Sequence, residues 1–281
     1  MKPKNDFYVI DHIKFNPRTN ILSWILPFLP FAKVLFCLAF MCLAIAGRAQ
    51  GQPRQVVNQS IQWVSINSNI KLNKKYGISV DGQFRFAEYG NMQHMLRAGF
   101  DYYVTKKLSV VPIGYGVIQN YLYGKQPATF VNNERRIWQQ IAYKQTVSRV
   151  ALSHRLRFEE RFIQVHAKDA NDQVVDQGFT NHQFRVRYRA LANIPLNHAK
   201  MEPKTYYISI WDEIFVSRGK TVTYHEPDQN RIFVGPGYQI TKDLAIQGGP
   251  FYQMLIKSNG AKQENNVGFL VQMNYNFDLS K

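Results

Sequence analysis

Residues Glu134 to Phe162, ERRIWQQIAYKQTVSRVALSHRLRFEERF, predict two strands of about a dozen residues with a very short turn near Ser148. In the second strand apolar and charged residues alternate, so they lie on opposite faces, because successive side chains of a strand point to opposite sides. The apolar face carries Leu156, Phe158 and Phe162, and the charged face carries Arg155, Arg157, Glu159 and Arg161. Long strands with one apolar and one polar face are typical of transmembrane barrels, whose strands need about 9–11 residues.

The same alternation recurs along the rest of the chain. It predicts eleven strands, at 61–72, 78–87, 93–104, 108–121, two within 134–162, 183–194, 205–217, 231–240, 244–256 and 266–277. Short turns such as Thr105-Lys106-Lys107 alternate with longer polar loops, which is the asymmetry of an outer-membrane barrel. We therefore expect an all-β fold, an antiparallel up-and-down transmembrane β-barrel.

The number of strands conflicts with a rule for such barrels. Bacterial single-chain barrels have even strand numbers, and eleven is odd. A strand missed within 55–69, or one strand wrongly split in two, would restore an even number. The sequence therefore predicts about 10–12 strands, with ten or twelve preferred to eleven and twelve favoured.

The N-terminal region has the layout of a secretory signal peptide. An uncharged apolar run, 34–46, follows Lys33, and the small-x-small site Gly47-Arg48-Ala49 places cleavage before Gln50. An uncleaved membrane anchor is the alternative. We expect a signal peptide with a long n-region at 1–49, a flexible lead-in at 50–60 and the barrel at 61–281. Both cysteines, Cys37 and Cys42, fall within the signal, so the exported chain would contain no disulfide.

The charge of the exported chain limits its partners. From Gln50 onward it has 29 Lys and Arg against 17 Asp and Glu, a formal charge of +12. A basic protein attracts nucleic acid, anionic lipid or anionic solutes. The export signal makes nucleic acid an unsuitable partner. We expect a monomer in the outer membrane of a Gram-negative bacterium. Its expected partners are membrane lipid, lipopolysaccharide and small anionic solutes.

Four stretches make the chain resemble a known family. They are IQWVSINSNIKLNKKYGISVDGQFRF, FDYYVTKKLSVVPIGYGV, SHRLRFEERF and FRVRYRALANIPL. Residues 61 to 277 are similar to the domain-of-unknown-function 2490 family, which comprises exported Bacteroidetes proteins. The resemblance implies an outer-membrane β-barrel-like protein of unknown activity. It transfers no site residue.

The charged strand faces are the candidate functional site. The residues expected to line the lumen are Arg155, Arg157, Glu159, Arg161, Arg185, Arg187, Arg189, Glu213, Arg97 and Asp101, with Arg85 and Asp81 across from the arginine rows. Rings of arginine favour anions in pores, so these rows could line a narrow anion-favouring channel. Alternatively, they could form a salt-bridged plug that fills a structural barrel.

An enzyme acting on lipid or lipopolysaccharide is a further alternative. Ser153 and His154 are adjacent, but consecutive strand residues face opposite sides, so they cannot form a catalytic dyad. The loop His166 to Asn181 contains three aspartates without the glycine and closing glutamate of a calcium loop. We therefore predict no catalytic residue, metal or cofactor. An exported basic binding protein outside the membrane remains a third alternative.

Overall fold

The computed structural model describes residues 54–88, 90–123, 130–224 and 227–280. The chain divides into two units, Met1–Gln52 and Pro53–Lys281, and the described residues belong to the second. The predicted signal peptide therefore lies outside the described residues. The described part contains no helix that is both long and apolar enough to cross a membrane.

Eleven long strands close into a barrel, as the alternation predicts. The strands are β1 (Gln55–Lys71), β2 (Tyr76–Ala87), β3 (Gly90–Tyr103), β4 (Leu108–Asn120), β5 (Asn132–Val147), β6 (Val150–Ile163), β7 (His166–Lys168), β8 (Val174–Asp176), β9 (Asn181–Pro195), β10 (Thr205–Gly219), β11 (Gln229–Gln239), β12 (Leu244–Ile256) and β13 (Lys262–Asp278). Around the barrel their order is β1-β13-β12-β11-β10-β9-β6-β5-β4-β3-β2, and a separate hairpin consists of β7 and β8.

The seam between β1 and β13 explains how an odd number of strands closes. These two strands pair in parallel from Gln55↔Lys262 to Lys71↔Asp278, whereas the other neighbours in the barrel are antiparallel. Eleven strands lie within the predicted range of 10–12, but the preference for an even number is wrong. With an odd number the first and last strands run in the same direction, and the parallel seam joins them. At the seam Gly268 lies so close to Ile61 that a Cβ would collide with the Ile61 carbonyl oxygen.

The start of the barrel also differs from the prediction. The expected lead-in covered 50–60, but β1 begins at Gln55, and residues 55–60 pair with β13. This segment lacks apolar alternation because its exposed positions Asn58 and Ser60 are polar. There the Gln59 amide Nε2 donates to buried Glu264 at 3.3 Å. The polar sequence of residues 55–60 is therefore part of a strand and not a flexible lead-in.

The two ends of the barrel differ in their connections. One end, the short-turn end, carries the turns 72–75, 104–107, 148–149 and 240–243 and the loop 196–204. The opposite, long-loop end carries the connections 121–131, 164–180 and 220–228 and the start of β1. The β7–β8 hairpin lies in the connection 164–180, which the sequence predicted only as a polar loop.

Apolar side chains cover the outside of the barrel wall. We call this surface the outer apolar face; its exposed members include Val64, Ile66, Phe84, Leu96, Phe100, Ile113, Val117, Ile137, Ile141, Ile210, Ile232, Val234, Ile246, Phe269 and Val271. Their strand neighbours point inward and are largely polar. In β3, for example, Leu96 is 56% exposed and adjacent Arg97 is 3% exposed. The hydrophobic face is therefore outside, the reverse of a water-soluble barrel.

Candidate functional site

The structure places the charged residues singled out in the sequence on the inward faces of the strands. On the described inward faces we count ten arginines, namely Arg85, Arg97, Arg136, Arg155, Arg157, Arg161, Arg185, Arg187, Arg189 and Arg231. The carboxylates on these faces are Asp81, Asp101, Glu134, Glu159, Glu213, Glu264 and Asp278. The arginines outnumber the carboxylates, so their partners decide what the lumen can do.

Glu159 is the centre of the largest ion cluster. It is fully buried and accepts hydrogen bonds from Arg185 Nε at 2.8 Å and from Arg187 Nη1 at 2.7 Å. Nη1 of Arg97 and Nη1 of Arg136 lie 3.7 and 3.8 Å from its oxygens. One carboxylate therefore holds four guanidinium groups that come from three separate strands.

Glu213 continues the cluster on β10. Its Oε1 accepts hydrogen bonds from Arg155 Nη2 at 2.6 Å and from Arg187 Nη2 at 2.8 Å. Arg231 Nη1 lies 3.8 Å from Oε2. Because Arg187 binds both Glu159 and Glu213, the two clusters form one continuous network.

Two further carboxylates, Glu134 and Asp81, bind arginines of the lumen. Arg161 binds Glu134 through Nε at 2.6 Å and Nη2 at 3.0 Å, and Arg136 Nε also contacts this carboxylate. Arg97 binds Asp81 through Nε at 3.1 Å and Nη2 at 2.7 Å. Charge-assisted, two-point contacts of this kind fix a guanidinium firmly.

Three inward arginines have no carboxylate partner among the described residues. Arg85 donates to Gln83 and lies over the ring of Trp63, with the guanidinium carbon 4.2 Å from the ring centroid. Arg157 donates twice to Gln140 Oε1 and lies 4.1 Å from the ring centroid of Trp138. For Arg189 the described part of the chain shows no hydrogen bond or ion pair.

Aromatic side chains fill the opposite side of the lumen. Trp63 packs edge-to-face on Phe251 with ring centroids 5.1 Å apart, and Trp211 stacks on Phe233 at 5.5 Å. Phe215 contacts the arginine network, since the Arg187 and Arg231 guanidinium carbons each lie 4.7 Å from its ring centroid. Such cation–π contacts compensate part of the cost of removing arginine from water.

The charged and aromatic groups meet in a layer that we call the septum. It consists of Glu159, Arg187, Glu213, Phe215 and Phe233, and each of these residues is at most 5% exposed. A cavity of about 390 Å³ opens toward the long-loop end and one of about 1000 Å³ toward the short-turn end. The two cavities share no lining residue, and of the septum residues only Arg187 lines either of them, the long-loop cavity.

The positions tested for catalysis and metal binding have other roles in the structure. Ser153 lines the short-turn cavity, whereas the outward His154 lies 2.8 Å from the hydroxyl of Tyr188. In the hairpin connection Asp169 Oδ1 accepts hydrogen bonds from the backbone N–H groups of Asn171 and Gln173. This carboxylate therefore shapes a turn, and the described residues contain no cluster that could hold a metal.

The sequence prediction missed Arg136, Glu134, Arg231 and the aromatic half of the lumen. The signal was present, because Trp211 and Phe215 share the strand parity of Glu213, and Phe233 shares that of Arg231. Each position alternates with an outward apolar residue such as Ile210 or Ile232. Both faces of these strands are apolar in places, so hydrophobicity alone could not tell the inside from the outside.

Comparison with known proteins supports the resemblance seen in the sequence. The family model described as "Protein of unknown function (DUF2490)" matches residues 61–265, well over half of the chain. The chain belongs to this family. A search of curated proteins finds no match. Among solved structures, the chain is similar to the NanC porin in a rhombohedral crystal form, at 8% identity and a TM-score of 0.40, over 74% of this chain and 90% of that one.

Proposed function

We propose that this family member is a membrane-spanning barrel of the outer membrane and that its septum closes the lumen to solutes at rest. The observation that carries the proposal is the reversal of polarity, with large apolar side chains outside and an arginine–carboxylate network inside. This arrangement suits a wall that faces lipid and a lumen that contains ions and water.

The dimensions of the wall support membrane insertion. The barrel strands contain between 11 and 17 residues, and a strand needs about 9–11 residues to cross a bilayer when tilted. Outward Leu96 and Ile113 are 56% and 60% exposed. An apolar belt of this extent is unusual on a water-soluble monomer, and it marks a membrane or interaction surface.

The septum favours a closed structural barrel over an open anion channel. Glu159, Phe215 and Phe233 are fully buried and line neither cavity, which supports a lumen that is filled between the two cavities. An anion-favouring passage is the second candidate, because arginine exceeds carboxylate on the inward faces. That passage requires the septum to rearrange.

An enzymatic role in lipid or lipopolysaccharide chemistry has less support. Such an enzyme needs a nucleophile and a base in contact at the wall, but Ser153 and His154 lie on opposite sides of the wall. The expected surroundings of the protein are instead lipid and lipopolysaccharide at the outer apolar face and small anionic solutes at the cavities.

Quenching by lipids with brominated acyl chains tests membrane insertion. Trp63, Trp138 and Trp211 are buried in the lumen, so bromine in the bilayer should quench them weakly. Leu96→Trp places a new indole at mid-height on the outer apolar face and should add strongly quenched fluorescence. Lys106→Trp, in the turn between β3 and β4, is the matched control and should add weakly quenched fluorescence. Absence of extra quenching in Leu96→Trp would contradict insertion.

A further inference from the structure

Two consecutive pairs of arginines face each other across β6 and β9. In the strand register Arg155 lies opposite Arg189, and Arg157 lies opposite Arg187. Side chains directly opposite each other on neighbouring antiparallel strands have Cβ atoms about 4.5–5.5 Å apart, and like charges at this distance repel. A folded barrel that keeps both pairs needs negative charge beside them.

The protein's own carboxylates satisfy only one arginine of each pair. Arg155 is bound by Glu213, and Arg187 is bound by Glu159 and Glu213. Arg157 and Arg189 have no carboxylate within ion-pair distance among the described residues. Nη1 of Arg157 and Nε of Arg189 are buried atoms that also lack any hydrogen-bond partner.

Arg157 and Arg189 line the same cavity, the short-turn cavity of about 1000 Å³. Four acidic groups line this cavity: Asp81 is bound to Arg97, Asp278 to Lys71, Asp243 lies 3.9 Å from Lys242, and the fourth is Asp101. The Asp101 atom Oδ2 is buried without a hydrogen-bond partner, so neither unpaired arginine reaches it. The cavity therefore presents arginine N–H groups that no carboxylate of the described residues accepts.

We propose that Arg157 and Arg189 form a binding site for an oxyanion, the carboxylate or phosphate group of a small solute, at the floor of the short-turn cavity. The planar guanidinium matches the two oxygens of such groups. Buried, charge-assisted hydrogen bonds of this type are among the strongest in proteins. The site rests on the proposed closed lumen, because the septum makes this cavity a blind vestibule that retains a ligand.

The rim of the cavity favours entry of anions. Lys74, Lys75, Lys106 and Lys144 line it, and they come from two turns and from β5. Eight Lys and Arg line the whole cavity against four Asp. An excess of one sign of charge concentrates the opposite ion and raises its association rate. Anions are therefore guided from the short-turn end toward Arg189.

Calorimetric titration of the detergent-purified protein with inorganic phosphate, and separately with acetate, tests this site. Sodium chloride at matched ionic strength measures unspecific screening. Arg157→Gln and Arg189→Gln should each weaken binding of the preferred anion about tenfold or more, since a hydrogen bond to a charged group contributes about 1.5–3 kcal/mol. Tighter binding of phosphate assigns the site to phosphate groups, and tighter binding of acetate assigns it to carboxylates.

Arg85→Gln is the matched control. Arg85 is also a buried arginine without a carboxylate partner, but it lines the long-loop cavity. This variant should bind phosphate and acetate as the parent does. Equal loss of affinity in Arg85→Gln and Arg189→Gln, or binding no stronger than that of chloride, would overturn the proposal.

Thermal unfolding gives a second readout, in which the predicted effect of the substitution is a gain of stability and not a loss. In phosphate-free buffer Arg189→Gln should unfold at a higher temperature than the parent, because it removes a repulsion from Arg155. The conservative Arg189→Lys should keep part of the stabilisation by the anion. If the brominated lipids quench Leu96→Trp but the protein binds no oxyanion, the binding site alone is refuted. If the protein binds an oxyanion but the brominated lipids give no extra quenching, only the membrane assignment is refuted.

Discussion

Glu159 accepts a hydrogen bond from Arg187 at 2.7 Å at a position where neither side chain is more than 5% exposed. Arg187 also binds Glu213 on the neighbouring strand, so the pair links β6, β9 and β10 through the lumen. Buried ion pairs of this kind repay their desolvation only while every partner stays in place. Removal of one of these partners should therefore both open the lumen and destabilise the barrel.

Glu159→Gln should be the most damaging single change in the septum. It leaves Arg185 and Arg187 buried beside a neutral amide, and breaking a buried pair costs about 3–5 kcal/mol. Glu160→Gln is a matched control, because Glu160 is the next residue, faces outward and has a half-exposed side chain. Its effect should stay within about 0.5 kcal/mol. Denaturant unfolding in detergent measures both values, and equal midpoints would contradict the role of Glu159.

A cysteine pair tests the parallel seam. Val64 lies opposite Val271 in the register of β1 and β13, and both are exposed on the outer apolar face. Val64→Cys with Val271→Cys should cross-link under mild oxidation and shift the unfolded band on a gel. Val64→Cys with Phe277→Cys is the control and should not cross-link, since Phe277 lies opposite Ile70. Cross-linking of the control pair alone would show a different closure.

The long-loop end should become less stable at alkaline pH because Tyr123 loses its proton. Its hydroxyl donates to Glu264 at 3.0 Å, and burial together with the Glu264 charge raises the pKa of Tyr123 well above its usual value. Because the pKa of Tyr123 is higher in the folded than in the unfolded protein, its contribution to the free energy of unfolding is complete below about pH 10. This contribution is lost as the pH rises through the pKa of the folded state.

Tyr123→Phe removes this hydrogen bond and should lower the free energy of unfolding by about 1 kcal/mol near neutral pH. It should also flatten the decline of stability above about pH 10. Tyr115→Phe, on the exposed outer wall, is the control and should leave the decline unchanged. An alkaline profile of Tyr123→Phe that coincides with the parent profile would contradict this prediction.

Much of the barrel was predictable because alternation determines which face of a strand is outside. The strand with Leu96, Phe100 and Arg97 shows this directly, since its apolar residues are exposed and its arginine is buried. The closure was not predictable in the same way. Whether β1 pairs in parallel with β13 depends on a contact between residues some 200 positions apart, such as Ile61 and Gly268, and local pattern carries no information about it.

The sequence predicts which charged residues share the candidate site, but not whether that site is an open pore or a plug. Alternation placed Arg155, Arg157 and Glu159 on one face. Whether they line an open pore or fill a plug depends on partners from other strands, such as Glu213, and on the side chain of Phe215. These distances across the lumen follow from the number and tilt of the strands, which a single sequence does not determine.

Single-channel conductance in a planar bilayer with a salt gradient shows whether the inserted barrel has a closed lumen. We expect the protein to insert and to carry no steady current. If the septum opens under voltage, the brief currents should favour anions, and Arg157→Glu with Arg187→Glu should shift their reversal potential toward cations. A steady, anion-selective current through the unmodified protein would contradict the closed septum and identify the arginine rows as the lining of an open channel.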